Sequence, residues 1–180
     1  ITGAAVATTI LITGGPIPYN VAVSGMVGNG TVIANIPAGA ATDSTNLSAA
    51  STTGDNTVTY DATQPTVTIN TAVGQTDPAG SGPINFTVVF SETVSDFDDA
   101  ADVTLSASTT PGTLSTVITG GPTTYNVAVS GMTGDGSVIA TVPAGAATDG
   151  SNLSAASTSP VDNSVLYDTT SPSVTVDQAV

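Results

Sequence analysis

The chain contains no lysine, arginine, histidine, cysteine or tryptophan in 180 residues. Each absence removes a class of chemistry. Without Lys, Arg or His there is no imidazole base, no Schiff-base amine and no P-loop lysine. Nothing neutralises a phosphate backbone, so binding to nucleic acid and attraction to anionic membranes are strongly disfavoured. Without Cys there is no disulfide, thiolate metal site or redox couple. Trypsin-like proteases find no bond to cut. No apolar run approaches the roughly 18 to 20 residues that span a bilayer. The opening stretch "ITGAAVATTILITGG" lacks a basic start, so it reads as the middle of a domain and not as a signal peptide.

Charged residues make up 8% and net charge is −14, which taken alone would suggest disorder; the hydrophobic share of 39% argues otherwise. The apolar residues fall in short alternating runs rich in Val, Ile and Thr, the pattern of a packed β protein.

The second feature is duplication. "YNVAVSGM" begins at Tyr19 and returns unchanged at Tyr125. At an offset of 106, residues 12–53 match 118–159 with 32 of 42 positions identical. One extra residue then enters near Pro160 and Val161, after which "DNTVTYDATQPTVTIN" from Asp55 meets "DNSVLYDTTSPSVTVD" from Asp162 at an offset of 107. Solenoid rungs repeat at roughly 20 to 50 residues. A period near 107 is the length of a whole sandwich domain, about 100 residues.

One full copy runs over 62–168, with seven expected strands. The first is 66–70, after Pro65. The second, 84–91, has the strongest alternation in the chain, with Ile84, Phe86, Val88 and Phe90 toward the core and Asn85 and Thr87 toward water. The third is 102–106 and the fourth 113–119. A turn at Gly120, Gly121 and Pro122 leads to the fifth, 124–130, which places Tyr125, Val127 and Val129 on one face. The tight turn "GDG" at 134–136 leads to the sixth, 137–143, and the seventh is 163–167. The long loop 144–161 has enough alanine for a turn of helix. The expected fold class is all-β: tandem immunoglobulin-like, Greek-key β-sandwiches of about seven strands each.

The segments "INFTVVFSE", "DVTLS", "VPAGAATDG" and "YDTTSPSVTV" together resemble the bacterial Ig-like domains found in tandem in very large surface and biofilm-matrix proteins. The resemblance covers essentially the whole chain. It implies an extracellular, non-enzymatic repeat that extends, adheres or builds matrix, with neighbouring repeats or identical chains as partners. On that reading 1–61 is the last part of one domain (fourth to seventh strands), 62–168 is a complete domain, and 169–180 is the first strand of another. Half a sandwich exposes its core and its strand edges. Either the chain is a window on a longer repetitive protein, or a neighbouring molecule supplies the missing strands by β-augmentation.

The 13 Asp and one Glu are the remaining chemistry. In an Ig-like sandwich the loops joining strands two to three and six to seven gather at one end. The first holds Glu92, Asp96, Asp98, Asp99 and Asp102, the second Asp149 and Asn152, and the preceding connector carries Asp61; the preceding copy adds Asn29. A second junction collects Asp77, Asp135 and Asp168. With no cation in the chain, Ca2+ is an economical partner for so many carboxylates, taking six to eight oxygen ligands. It would tie adjacent domains into a stiff rod. The competing reading is that these are solvated turn formers.

Catalysis fails on inventory. Glu92 with Asp96 or Asp98 would be the carboxylate pair of a glycosidase, but there is no Trp to build a sugar platform, and no His or Lys to activate the many Ser and Thr. N-x-S/T triplets at Asn29, Asn46, Asn85 and Asn152 permit glycosylation on a surface. The functional expectation is a non-catalytic segment of an extracellular stalk, fibre or biofilm adhesin. Its alternative is a module that recognises a surface glycan or protein through the same two loops.

Overall fold

The computed structural model describes residues 5–6, 8–52, 54–158 and 162–178. The chain divides into two compact units, 1–63 and 64–180, and each is described by itself. Among the described residues both are all-β, with every strand pair antiparallel and no α-helix.

Among its described residues the first unit has four strands: β1 (Thr9–Gly14), β2 (Tyr19–Ser24), β3 (Gly30–Ile33) and β4 (Thr57–Tyr60). They form two separate antiparallel pairs, β1 with β2 and β3 with β4. The described residues of the second unit form six: β5 (Val67–Thr71), β6 (Ile84–Phe90), β7 (Gly112–Gly120), β8 (Thr124–Met132), β9 (Gly136–Ile139) and β10 (Ser164–Tyr167). The order β5-β6-β8-β7 makes one four-stranded layer. β9 pairs with β10 in the other, which is widened by an antiparallel bridge between Thr104 and Thr141 and a parallel one between Ala79 and Tyr167.

Alternation drives β6. Ile84, Phe86, Val88 and Phe90 are all buried, because successive side chains in a strand point to opposite faces. Tyr125, Val127 and Val129 of β8 lie opposite them in register, Val88 against Tyr125, Phe86 against Val127 and Ile84 against Val129. Val138 of β9 and Val165 of β10 reach the same cluster from the other layer. Two layers thus share one core, as in a β-sandwich. With no Trp available, its aromatic centre is Phe90, Phe97 and Tyr125, packed edge to face with centroids 5.0 to 5.9 Å apart. The Tyr125 hydroxyl donates to the Val94 carbonyl at 3.3 Å.

Three expectations are corrected. The third strand, 102–106, is not a strand: a single 3-10 turn occupies Ala100–Asp102, and only the Thr104 bridge pairs with the sheet. The cause is local. Asp99 caps the turn by accepting from the Ala101 amide, while the Asp102 carboxylate accepts from the amides of Asp98 and Asp99, so the aspartates hold the backbone that a ladder would need. The sixth strand ends at Ile139, with pairing resumed only at Thr141. The described part of loop 144–161 forms a turn bridged by Thr148 and Leu153, with no helix; Pro160 and Val161 lie outside the described residues.

The duplication reaches the pairing register. Ile12 faces Val21 as Ile118 faces Val127, and Val32 faces Val58 as Val138 faces Val165. Burial differs. Val127 is 0% exposed, whereas Val21, from the same octapeptide, is 39% exposed. Residues 169–178 carry no strand, and Val174 and Val176 are exposed where Val67 and Ile69, 107 positions earlier, are buried.

Two predictions follow from burial. V127A should cost about 2–3 kcal/mol, the loss of two buried methyl groups plus a residual cavity. V21A should cost less than about 0.5 kcal/mol, as an exposed position; denaturant unfolding of both variants is the check. Thr116 lies between Leu114 and Ile118 on the inward side of β7, and its hydroxyl is buried without a hydrogen-bond partner. The other copy has Ile10 there. T116V, nearly isosteric, should therefore raise stability by about 1–2 kcal/mol, and an unchanged or lower unfolding midpoint would contradict that account.

Candidate functional site

The acidic residues of the second unit are best understood from the loops upward. The loop after β6 is anchored by buried Val94 and Phe97. It is stitched to the loop between β9 and β10 by main-chain bonds in both directions between Ser95 and Thr148, at 2.8 and 3.1 Å. This brings carboxylate oxygens of Glu92 and Asp149 to within 4.8 Å of each other. Both side chains are half-buried. The other members of the expected set are used differently. Asp98 and Asp99 are exposed and belong to the capped 3-10 turn, and Asp96 sits at φ +67° on the exposed part of the loop.

Asp149 also has a structural task. Its Oδ1 accepts from the amides of Ser151 at 2.6 Å and Asn152 at 2.7 Å, and its Oδ2 accepts from the Asn152 side-chain amide. These bonds, led by the Asn152 amide, favour the charged form and hold the carboxyl below the usual aspartate range. Asp43 in the first unit does the same with Thr45 and Asn46, at 2.9 and 2.7 Å, and is lowered for the same reason. The two loops are copies in hydrogen bonds as well as in sequence.

The second set, Asp77, Asp135 and Asp168, gathers around the segment that follows β10. Asp77 accepts from the Leu166 amide at 2.9 Å. Asp168 accepts from the Thr170 amide at 2.9 Å, and its own amide donates to the Ala79 carbonyl. Asp135, in the turn between β8 and β9, accepts from the amide and hydroxyl of Thr169 at 2.8 Å and from the Thr170 hydroxyl. The Thr170 hydroxyl is the leading reason that its carboxyl is held low. In the first unit Asn29 takes the corresponding place: it accepts from the Ala62 amide at 2.7 Å and donates to the Thr63 hydroxyl, while Asp61 accepts from the Thr63 amide at 2.9 Å. Each copy therefore fastens the segment after its last strand to the turn before its penultimate one. The aspartates signalled a turn; the threonine partners carried no signal in the sequence.

A close carboxylate pair such as Glu92 and Asp149, with oxygens within 4.8 Å of each other, is the starting material of a glycosidase dyad. Such a dyad needs one carboxyl raised to act as an acid. Asp149 is shifted the other way, and its Oδ1 is held by two amides. All three Phe rings are in the core and offer no stacking platform.

A separate feature lies in the first unit. A cleft of about 590 Å3 is walled by Ile10, Ile12, Tyr19 and Val21 on one side and by Ile36 and Pro37 on the other. Half-sandwich exposure is anticipated by the domain boundaries; a formed cleft is not. Comparison with protein-family models, with curated proteins and with solved structures found no match to this chain.

The low carboxyls of Asp43, Asp135 and Asp149 set a pH prediction. A group lowered on folding stabilises the fold above its unfolded value, near 4, and that contribution is lost as pH falls through the lower folded value. No side-chain type in the sequence has an ordinary pKa between about 4.3 and 10. The unfolding temperature should be level from pH 6 to 9 and fall below about pH 4. D135N should keep the clasp, as Asn29 does, and lose less stability in acid than the parent. A midpoint that moved by more than about 3 °C between pH 6 and 9 would break this link.

Proposed function

We propose that this chain is a non-catalytic structural segment of an extracellular stalk, fibre or biofilm-matrix adhesin, built of tandem Ig-like domains. The observation that carries the reading is the recurrence of two strand pairings, β1-β2 as β7-β8 and β3-β4 as β9-β10, in matching register and with matching loop hydrogen bonds, in a chain without Lys, Arg, His or Cys. Duplicating a domain adds length, and length needs stable modules more than it needs chemistry. The layer β5-β6-β8-β7, facing a layer in which β10, β9 and Thr104 are neighbours, supports an Ig-like Greek key. The matching hydrogen bonds of the Asp43 and Asp149 loops favour a structural role over ligand recognition, which would diversify its loops.

Calcium enters the proposal at Glu92 and Asp149. Two half-buried carboxylates with no cation nearby suit a hard ion, with water and carbonyl oxygens completing six to eight ligands. Millimolar Ca2+ should then raise the unfolding temperature by a few degrees over excess chelator, and E92Q should abolish the rise. Identical melting in calcium and chelator removes the ion and leaves the stalk. The stalk itself is tested with antibody against the 180 residues on intact source cells. Surface labelling in linear arrays is the expected result, and label found only after permeabilisation would refute the reading.

A further inference from the structure

We infer that Asn29 is a self-modification site: the main-chain nitrogen of Gly30 converts its side-chain amide to a carboxylate. The first unit then acquires the clasp that the second unit is encoded with at Asp135. The chain has ten asparagines, and Asn29 is the one followed by glycine. That neighbour matters because its amide nitrogen is the nucleophile, and glycine has no Cβ to block the approach. Asn29 is exposed, just before β3. Its Oδ1 accepts from the Ala62 amide at 2.7 Å, and its Nδ2 donates to the Thr63 hydroxyl. A donor on Oδ1 stabilises the negative charge that develops there when Cγ is attacked.

The reaction balances with water as its co-reactant. The Gly30 nitrogen, its proton lost to solvent, bonds to Asn29 Cγ. The Cγ–Nδ2 bond breaks, ammonia leaves with a proton from solvent, and a five-membered imide remains. Water then adds to one of the two imide carbonyls. Breaking the new bond leaves aspartate on an unaltered main chain. Breaking the original peptide bond leaves isoaspartate, with an extra methylene in the main chain.

The duplicate shows which product the fold accepts. Gly134, Asp135 and Gly136 stand where Gly28, Asn29 and Gly30 do, and Gly30 and Gly136 have similar extended backbones, φ 159° and 153°. Asp135 accepts from the Thr169 amide and the Thr170 hydroxyl, the counterparts of Ala62 and Thr63. The same clasp already holds Asp168, which accepts from the Thr170 amide as Asp61 accepts from the Thr63 amide. A carboxylate at position 29 keeps the Ala62 bond, and the Thr63 hydroxyl turns from acceptor to donor, which a hydroxyl can do. Isoaspartate instead displaces the carboxylate and shifts Gly30, which stands opposite Tyr60 at the start of the β3 register. Folding therefore draws the modification toward aspartate. This goes beyond the stalk reading and is independent of calcium.

The test ages the full 180-residue chain, folded, in mildly alkaline buffer with no added enzyme. Mass spectrometry reads each asparagine, with electron-based fragmentation to tell aspartate from isoaspartate. Asn29 should convert at least about tenfold faster than any other asparagine, with aspartate as the main product. The same chain aged in denaturant should give mainly isoaspartate there. N29Q, whose longer side chain has to close a six-membered ring, should stay unmodified over the same period. N29D should unfold at the temperature of the aged chain, at or above that of the parent. Faster conversion at another asparagine, isoaspartate as the main product in the folded chain, or an Asn29 that converts only in denaturant would each overturn the inference. So would an N29D chain that unfolds below the parent, because the carboxylate would then not fit the clasp.

Discussion

The fold depends on one row of side chains, Ile84, Phe86, Val88 and Phe90, entering the space between two layers. Few other devices are open to this sequence. No pair of opposite side-chain charges, disulfide or buried imidazole network can form from its residue types. Apolar burial and main-chain hydrogen bonding carry stability with little help, and burial is contributed by strands that alternate strictly. The contrast between Val127 and Val21 isolates this term. Their local sequence and pairing with the preceding strand are the same; Val127 in addition has Phe86 of β6 in register beside it and shares a core with Val138 and Val165.

A chain carrying −14 with no counter-charge has to place its carboxylates where they do not oppose folding. It does so by giving them amides and hydroxyls. Asp43 and Asp149 close a loop onto itself, Asp99 and Asp102 cap a turn, and Asp135 and Asp168 bind the segment after β10. A carboxylate that accepts two backbone N–H bonds is stabilised as an anion without any cation. The acidic residues thus take over part of the work that arginine and lysine do in other proteins. This also explains why a cluster that looks, in sequence, like a metal site is mostly committed to turns. Glu92 and Asp149 are the pair that the fold draws close across two loops.

Much of the fold was legible because alternation and duplication are strong signals. The β6 and β8 runs were placed within two residues of their ends, and their inward faces were those expected. What failed were segments where side chains compete with the ladder. Over 102–106 the apolar alternation of Val103 and Leu105 pointed to a strand, but Asp99 and Asp102 captured the backbone just before it. The site was less legible. Sequence grouped nine residues around one expected junction, yet spacing alone does not say which carboxylates will be spent on amides two or three residues away. Asp96, Asp98 and Asp99 share a loop with Glu92, and only the geometry separates them from it. The cleft was hidden for a different reason: the sequence of β2 is that of a buried strand, and exposure is a property of what covers it.

That last point gives the repeat its logic. When two copies of a sequence differ in burial and not in composition, burial is set by the neighbours of a strand and not by the strand itself. Tyr19 and Val21 lie on a surface evolved, in its duplicate, to be dry. An edge of this kind, left open, is a hazard for unspecific pairing. The high negative charge tempers that hazard by repelling other copies at long range, with a reach of about 8 Å at physiological ionic strength. Charge of one sign and apolar burial are therefore separate tools in this chain, the first spent on turns and the second on the core.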